Sequence, residues 1–188
     1  MRQLYLIIAT ILCMGVSTNE VYSQSIAVKS NILYDMTGTL NLGGEIKCDN
    51  HHSFQLNVNY NPWELGENKK MKQILIQPEY RIWFDEVFTG SFIGIQAHYG
   101  QYNFGGTTPF TTVKNNRYQG DLIGVGFAYG HQWILSTFWS LEAGLSVGYA
   151  HLSYKKYGPA KGDAMLDKAH KNYWGPTQVS LSLIYFIR

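Results

Sequence analysis

His151 and Ser153 stand two apart in the stretch GYAHLSY, and side chains two apart on a strand point to the same face. An imidazole beside a serine hydroxyl is the base-and-nucleophile pair of acyl-ester hydrolysis, provided that a third group orients the ring. No Glu follows Glu142, and the later acids Asp163 and Asp167 fall in an expected loop, so the sequence offers no orienting carboxylate from a strand. A second set is purely ionic: Lys29, Glu45, Lys47, Glu79, Arg81 and Glu142, with Arg188, all fall on the polar side of alternating segments. If that side is interior, the charges must pair, because an isolated buried one costs several kcal/mol. The expectation is therefore a salt-bridge network filling a lumen, and the alternative is a gated polar pathway or proton relay. His51 and His52 have only Asp49 and Cys48 nearby, too few to converge on a metal. His98 and His131 are lone strand histidines, expected to pack or to sit at an interface. No metal or other cofactor is expected.

Such residues are placed by strands, and alternation recurs eight times along the chain. SFQLNVNYNPW (53–63) sets Phe54, Leu56, Val58 and Tyr60 against Ser53, Gln55, Asn57 and Asn59. The first strand is read from Ile26 to Tyr34, the second near Leu42 to Cys48, and the fourth over ILIQPEYRIWF (74–84). The fifth runs from Phe92 to Tyr102, the sixth and seventh surround Val125 and Leu145, and the last ends the chain from Gln178. Most span about 9–11 residues, the length a tilted strand needs to cross a bilayer. The links alternate as well. Asp49–His52, Asp85–Gly90 and Ile134–Phe138 are short, while Asn61–Lys72, Asn103–Arg117 and Lys155–Asn172 are longer. Tight turns at one end and longer loops at the other are the rhythm of outer-membrane barrels.

Composition separates this reading from its nearest competitor, a lipocalin-like barrel with apolar residues inside. Charged residues make up 15% of the chain, against the roughly 25–35% that coats a soluble surface. Glycines on the polar side of the fifth, sixth and seventh strands suit a narrow packed lumen. Tyr34, Tyr60, Trp63, Trp83, Trp133, Trp139 and Trp174 lie near strand ends, where two aromatic girdles are expected. The fold class expected is all-β, an eight-stranded antiparallel up-and-down transmembrane β-barrel over residues 24–188. Residues 1–23, with Arg2, an apolar run from Leu4 to Val16 and a polar end at Ser23, read as a cleaved signal peptide. The formal net charge of +2, with no basic stripe, excludes a nucleic-acid partner.

SNILYD (30–35), YNPW (60–63), QPEYRIWF (77–84), GQYNFGG (100–106), YQGDLIGVGFAYGHQW (118–133) and NYWGPT (172–177) together resemble domain-of-unknown-function family 3575. The resemblance covers nearly the whole chain after the signal segment and implies an uncharacterised outer-membrane barrel of a Gram-negative bacterium. It supplies no activity, and implies a role in surface or fimbrial assembly. The expected partners are outer-membrane lipid, lipopolysaccharide and surface or fimbrial proteins, and the barrel is expected to be monomeric. Function is read as structural or partner-binding, not as a general diffusion pore, since eight strands enclose only enough room for side chains. The alternative is a lipid A-modifying hydrolase using His151 and Ser153, a spacing similar to the His-x-Ser element of outer-membrane lipid A deacylases.

Overall fold

The computed structural model describes residues 25–64, 70–105, 117–158 and 165–187; the segment expected to be a signal peptide, Asp163 and Arg188 lie outside the described residues. Eight antiparallel strands close into a barrel in sequence order. They are β1 (Ile26–Asn31), β2 (Leu40–Lys47), β3 (His52–Glu64), β4 (Lys70–Trp83), β5 (Gly90–Gly105), β6 (Arg117–Ile134), β7 (Trp139–Tyr157) and β8 (Met165–Ile187). β1 closes the ring on β8, from Ile26 opposite Ile187 to Asn31 opposite Ser182. One short helix, α1 (Ile32–Met36), follows β1.

Residues in register share a face, so cross-strand rows show which side each set occupies. Glu45, Gln55, Glu79 and Gln96 form one such row, and Ile46, Phe54, Tyr80 and Ile95 form the row beside it. Gln55 and Gln96 are 2% and 0% exposed, whereas Ile95 and Phe127 are 61% and 69% exposed. The carboxamides therefore line the inside and the hydrocarbon covers the outside, the reverse of a lipocalin. Glycine makes the narrow interior possible: Gly126 and Gly148 face each other across β6 and β7, and a Cβ on Gly148 would run into the Val125 carbonyl. Pro78 has no N–H to give, and the β4–β5 ladder is interrupted at Gln77 and Pro78.

The strand limits differ from the sequence reading in two ways. β1 ends at Asn31 and not at Tyr34, because the Asn31 side chain accepts the Leu33 N–H and caps α1. The helix then stops at Gly38, whose φ of 71° takes the left-handed region that glycine tolerates. At the same end the strands outrun the apolar alternation: β7 and β8 are 19 and 23 residues long and pair as far as Tyr157 opposite Met165. Most of the expected long link from Lys155 to Asn172 is thus a two-stranded ribbon. Backbone pairing continues there without an apolar face to announce it.

At the opposite end, which carries the short turns and both ends of the barrel sheet, a small apolar core closes the interior. Trp83, Val87, Phe88, Phe92, Ile184 and Phe186 pack there with Ala27. Phe88 has a φ of 72°, a left-handed conformation that costs a non-glycine residue about 1–2 kcal/mol. Its ring is 4% exposed and tilts against Phe186 with centroids 5.2 Å apart, and that burial holds the conformation.

Candidate functional site

Above the aromatic core sits a buried ion cluster. Lys29, Glu45, Glu79, Arg81 and Glu142 come from β1, β2, β4 and β7, and all are at most 3% exposed. Arg81 donates through Nε to Glu79 (2.7 Å), through Nη1 to Glu45 (3.1 Å), and through Nη1 and Nη2 to both oxygens of Glu142 (2.7 and 3.1 Å). Lys29 reaches Glu142 at 2.6 Å and also pairs with Glu45. Ser53 donates to Glu45 and accepts from the Trp83 indole, which ties the cluster to the core below. The Arg81 guanidinium also lies 4.0 Å from the Phe92 ring centroid, a cation–π contact. Of the residues expected to line the lumen these five lie together, and Lys47 is half-buried at the end of β2.

The next layer is made of amides. Asn59 donates to Gln77, and Gln77 and Gln96 both donate to Gln178. A cavity of only about 10 Å³ remains here, bounded by Lys29, Asn57, Gln77 and Glu142 and by Tyr34 of α1, room for no more than one water.

Farther along, the lumen widens. Leu75, Leu122, Leu152 and Lys171 form an inward row with Gly100, and with His98 they bound a cavity of about 240 Å³. Gly124 leaves room for the His98 ring, since a Cβ there would strike it. Beyond lies a vestibule of about 670 Å³ at the loop end, floored by the row Asn61, Gln73, Tyr102 and Tyr154. Among the described residues, the lumen is therefore sealed at the turn end and open at the loop end.

The outward face carries the histidine and serine residues. Ser153 Oγ lies 3.0 Å from His170 Nδ1, and His151 Nδ1 donates to Asn172 Oδ1 at 2.7 Å. The His151 and His170 rings stack with centroids 5.6 Å apart. The sequence paired His151 with Ser153, but residues two apart on a strand are about 6.8 Å apart, while directly opposed ones are about 4.5–5.5 Å apart. Each therefore bonds across to its β8 partner, Asn172 for His151 and His170 for Ser153. His170 and Asn172 could not be found from spacing, because only the β7–β8 register selects them.

Four of the expected girdle aromatics are on the outer surface: Tyr60, Trp133, Trp139 and Trp174 are 43–77% exposed. Trp139 packs edge-on to Tyr185 at the turn end, and Trp174 packs on Tyr149 nearer the loop end. Three are corrected. Trp83 shares the inward parity of Arg81 and is 2% exposed, and its neighbour Phe84 takes the outward place. Trp63 is 47% exposed but shares the parity of inward Asn61, and it donates its indole N–H to the Gly38 carbonyl in the link before the adjacent β2. Tyr34 belongs to α1 and bounds the small lumen cavity. At the β2–β3 turn, Asp49 accepts the His51 and His52 N–H groups at 2.8 and 2.9 Å, and those bonds hold its carboxyl below the usual carboxylate range. No group of three or more metal-ligating side chains occurs among the described residues, and no described helix is long and apolar enough to cross a membrane, which says nothing of a barrel.

The class these features define is a closed antiparallel barrel with an apolar exterior and an ion-filled interior. Residues 7–187 match the family model described as protein of unknown function (DUF3575), and the chain belongs to that family. No curated protein and no solved structure matches it.

Proposed function

We propose that this protein is an outer-membrane β-barrel of a Gram-negative bacterium, exported by a cleaved signal peptide, with a structural or partner-binding role and no general pore activity. The observation that carries the reading is the inverted polarity: a belt of exposed hydrocarbon around a closed ring that holds the paired cluster of Lys29, Glu45, Glu79, Arg81 and Glu142 inside. A bilayer core cannot satisfy backbone N–H and C=O groups, and a closed ring has no open sheet edge. The loop end would carry contacts with lipopolysaccharide and with surface or fimbrial proteins, and the barrel would act as a monomer. Cell fractionation and planar-bilayer recording of the purified protein test this reading. Recovery in the outer membrane without stepwise conductance is expected; release as a soluble periplasmic protein, or porin-like steps, would overturn it.

The Ser153–His170 and His151–Asn172 bonds favour a second reading, a hydrolase of lipid acyl esters at the outer face. An amide can orient a catalytic imidazole in place of a carboxylate. Among the described residues neither histidine is bonded both to the serine and to an orienting group, so this reading stands second. Lipid A from cells with and without the protein, compared by mass spectrometry, decides it. An acyl chain lost only with active protein, and retained with Ser153→Ala, would make the protein a deacylase; unchanged lipid A removes that substrate.

A further inference from the structure

We propose that the loop-end half of the lumen is a binding cup for a small amphipathic carboxylic acid that enters from the loop end. The hydrocarbon would lie against Leu75, Leu122 and Leu152, and the carboxylate would be received by His98 and Lys171. This goes beyond the sealed-barrel reading, and the two fail separately, because conductance tests the seal and ligand titration tests the cup.

His98 is the first ground. It is 4% exposed, yet neither ring nitrogen has a hydrogen-bond partner among the described residues. Leaving a buried polar group unpaired costs about 1–3 kcal/mol, and here the ring lies over Gly124 at the border of the cavity. Thr177 Oγ1 borders the same cavity and is likewise unpartnered. The lining is amphipathic: Leu75, Leu122, Ala150 and Leu152 supply hydrocarbon, and Gln77, Thr177 and Lys171 supply polar groups beside His98.

Charge and size give the rest. Lys171 lines this cavity and no described carboxylate does, so the electrostatics select an anion over a cation. The volume of about 240 Å³ is below the roughly 300 Å³ at which drug-sized sites begin, which limits the buried part to a short chain. The vestibule above, about 670 Å³ and bordered by Tyr102 and Tyr154, leaves a path from the loop end among the described residues. Below, the amide layer and ion cluster block further travel, so the cup retains a ligand and does not pass it on.

The test is a titration of the purified full chain, folded in nanodiscs and labelled with ¹⁵N-histidine, with butanoate, pentanoate and hexanoate. The His98 imidazole signals are assigned by their loss in His98→Gln. Saturable shifts of those signals are expected, with affinity rising about fourfold per added methylene. Lys171→Gln should weaken hexanoate at least about tenfold, and Leu122→Trp, which fills the cavity, should abolish binding while the barrel stays folded by heat-modifiable migration. Should Leu122→Trp fail to fold, Lys171→Gln carries the comparison. Absent or non-saturating shifts, an equal response to hexylammonium, or hexanoate binding unchanged in Lys171→Gln would overturn the proposal and leave His98 to ordinary solvation.

Discussion

Arg81 is the residue on which the interior depends. It places one guanidinium among three carboxylates, two of which also pair with Lys29. Removing one member of a buried, hydrogen-bonded charge group costs about 3–5 kcal/mol, because the others stay buried without compensation. Arg81→Met should lower barrel stability by that amount in urea titrations of the detergent-solubilised protein. Arg81→Lys should recover only part of it, since an ammonium cannot hold Glu142 through two parallel bonds. Parity alone made Lys29, Glu45, Glu79, Arg81 and Glu142 legible as one inward set. It also placed Trp83 inside, and the girdle expectation failed there because nearness to a strand end was weighed above parity. His170 and Asn172 were illegible for another reason: they join His151 and Ser153 through a β7–β8 pairing that crosses a register shift near Ser146.

Strands were legible wherever hydrocarbon alternated with amides, and their ends were not. The helix α1 was hidden because Ile32 and Tyr34 continue the period of Ile26 and Val28. The signals that mark it, a capping Asn31 and a terminating Gly38, were present in SNILYDMTG. Asn31 does more than cap: its carboxamide also accepts the Leu181 N–H and donates to the Val179 carbonyl, which ties α1 to β8. Asn31→Ala should therefore cost about 1–2 kcal/mol, seen as an earlier urea midpoint. The pairing of β6 with β7 allows less. A methyl on Gly148 meets backbone atoms of Val125 and Gly126 that cannot swing aside. Gly148→Ala should leave most of the protein in the unfolded, slow-migrating form on unheated gels. A fully folded band would mean that the two strands separate more easily than their register implies. The turn holding Val87 and Phe88 was read as a plain connection, because a link of that length carries no period to show that its side chains fold back under the barrel.

At the scale of the molecule the lumen has two closures in series, the aromatic core at the turn end and the ion cluster above it. They meet at Phe92, whose ring lies 4.8 Å from that of Trp83 and under the Arg81 guanidinium. Groups that share a partner do not act additively, and this sets what a leak requires. Trp83→Ala deletes a side chain that is 2% exposed and should cost about 3–5 kcal/mol of stability. It should still pass no ions, because Arg81 and Lys29 remain clamped to Glu142 across the bore. Arg81→Ala alone should likewise stay closed while Trp83 and Phe88 fill the turn end. Only Trp83→Ala combined with Arg81→Ala should give discrete conductance steps in planar bilayers, with the double variant checked for folding by gel migration. Steps from either single variant would place the whole barrier in that one layer. A folded double variant that stays silent would instead move the barrier up to the amide layer of Gln77, Gln96 and Gln178, immediately beneath the cup.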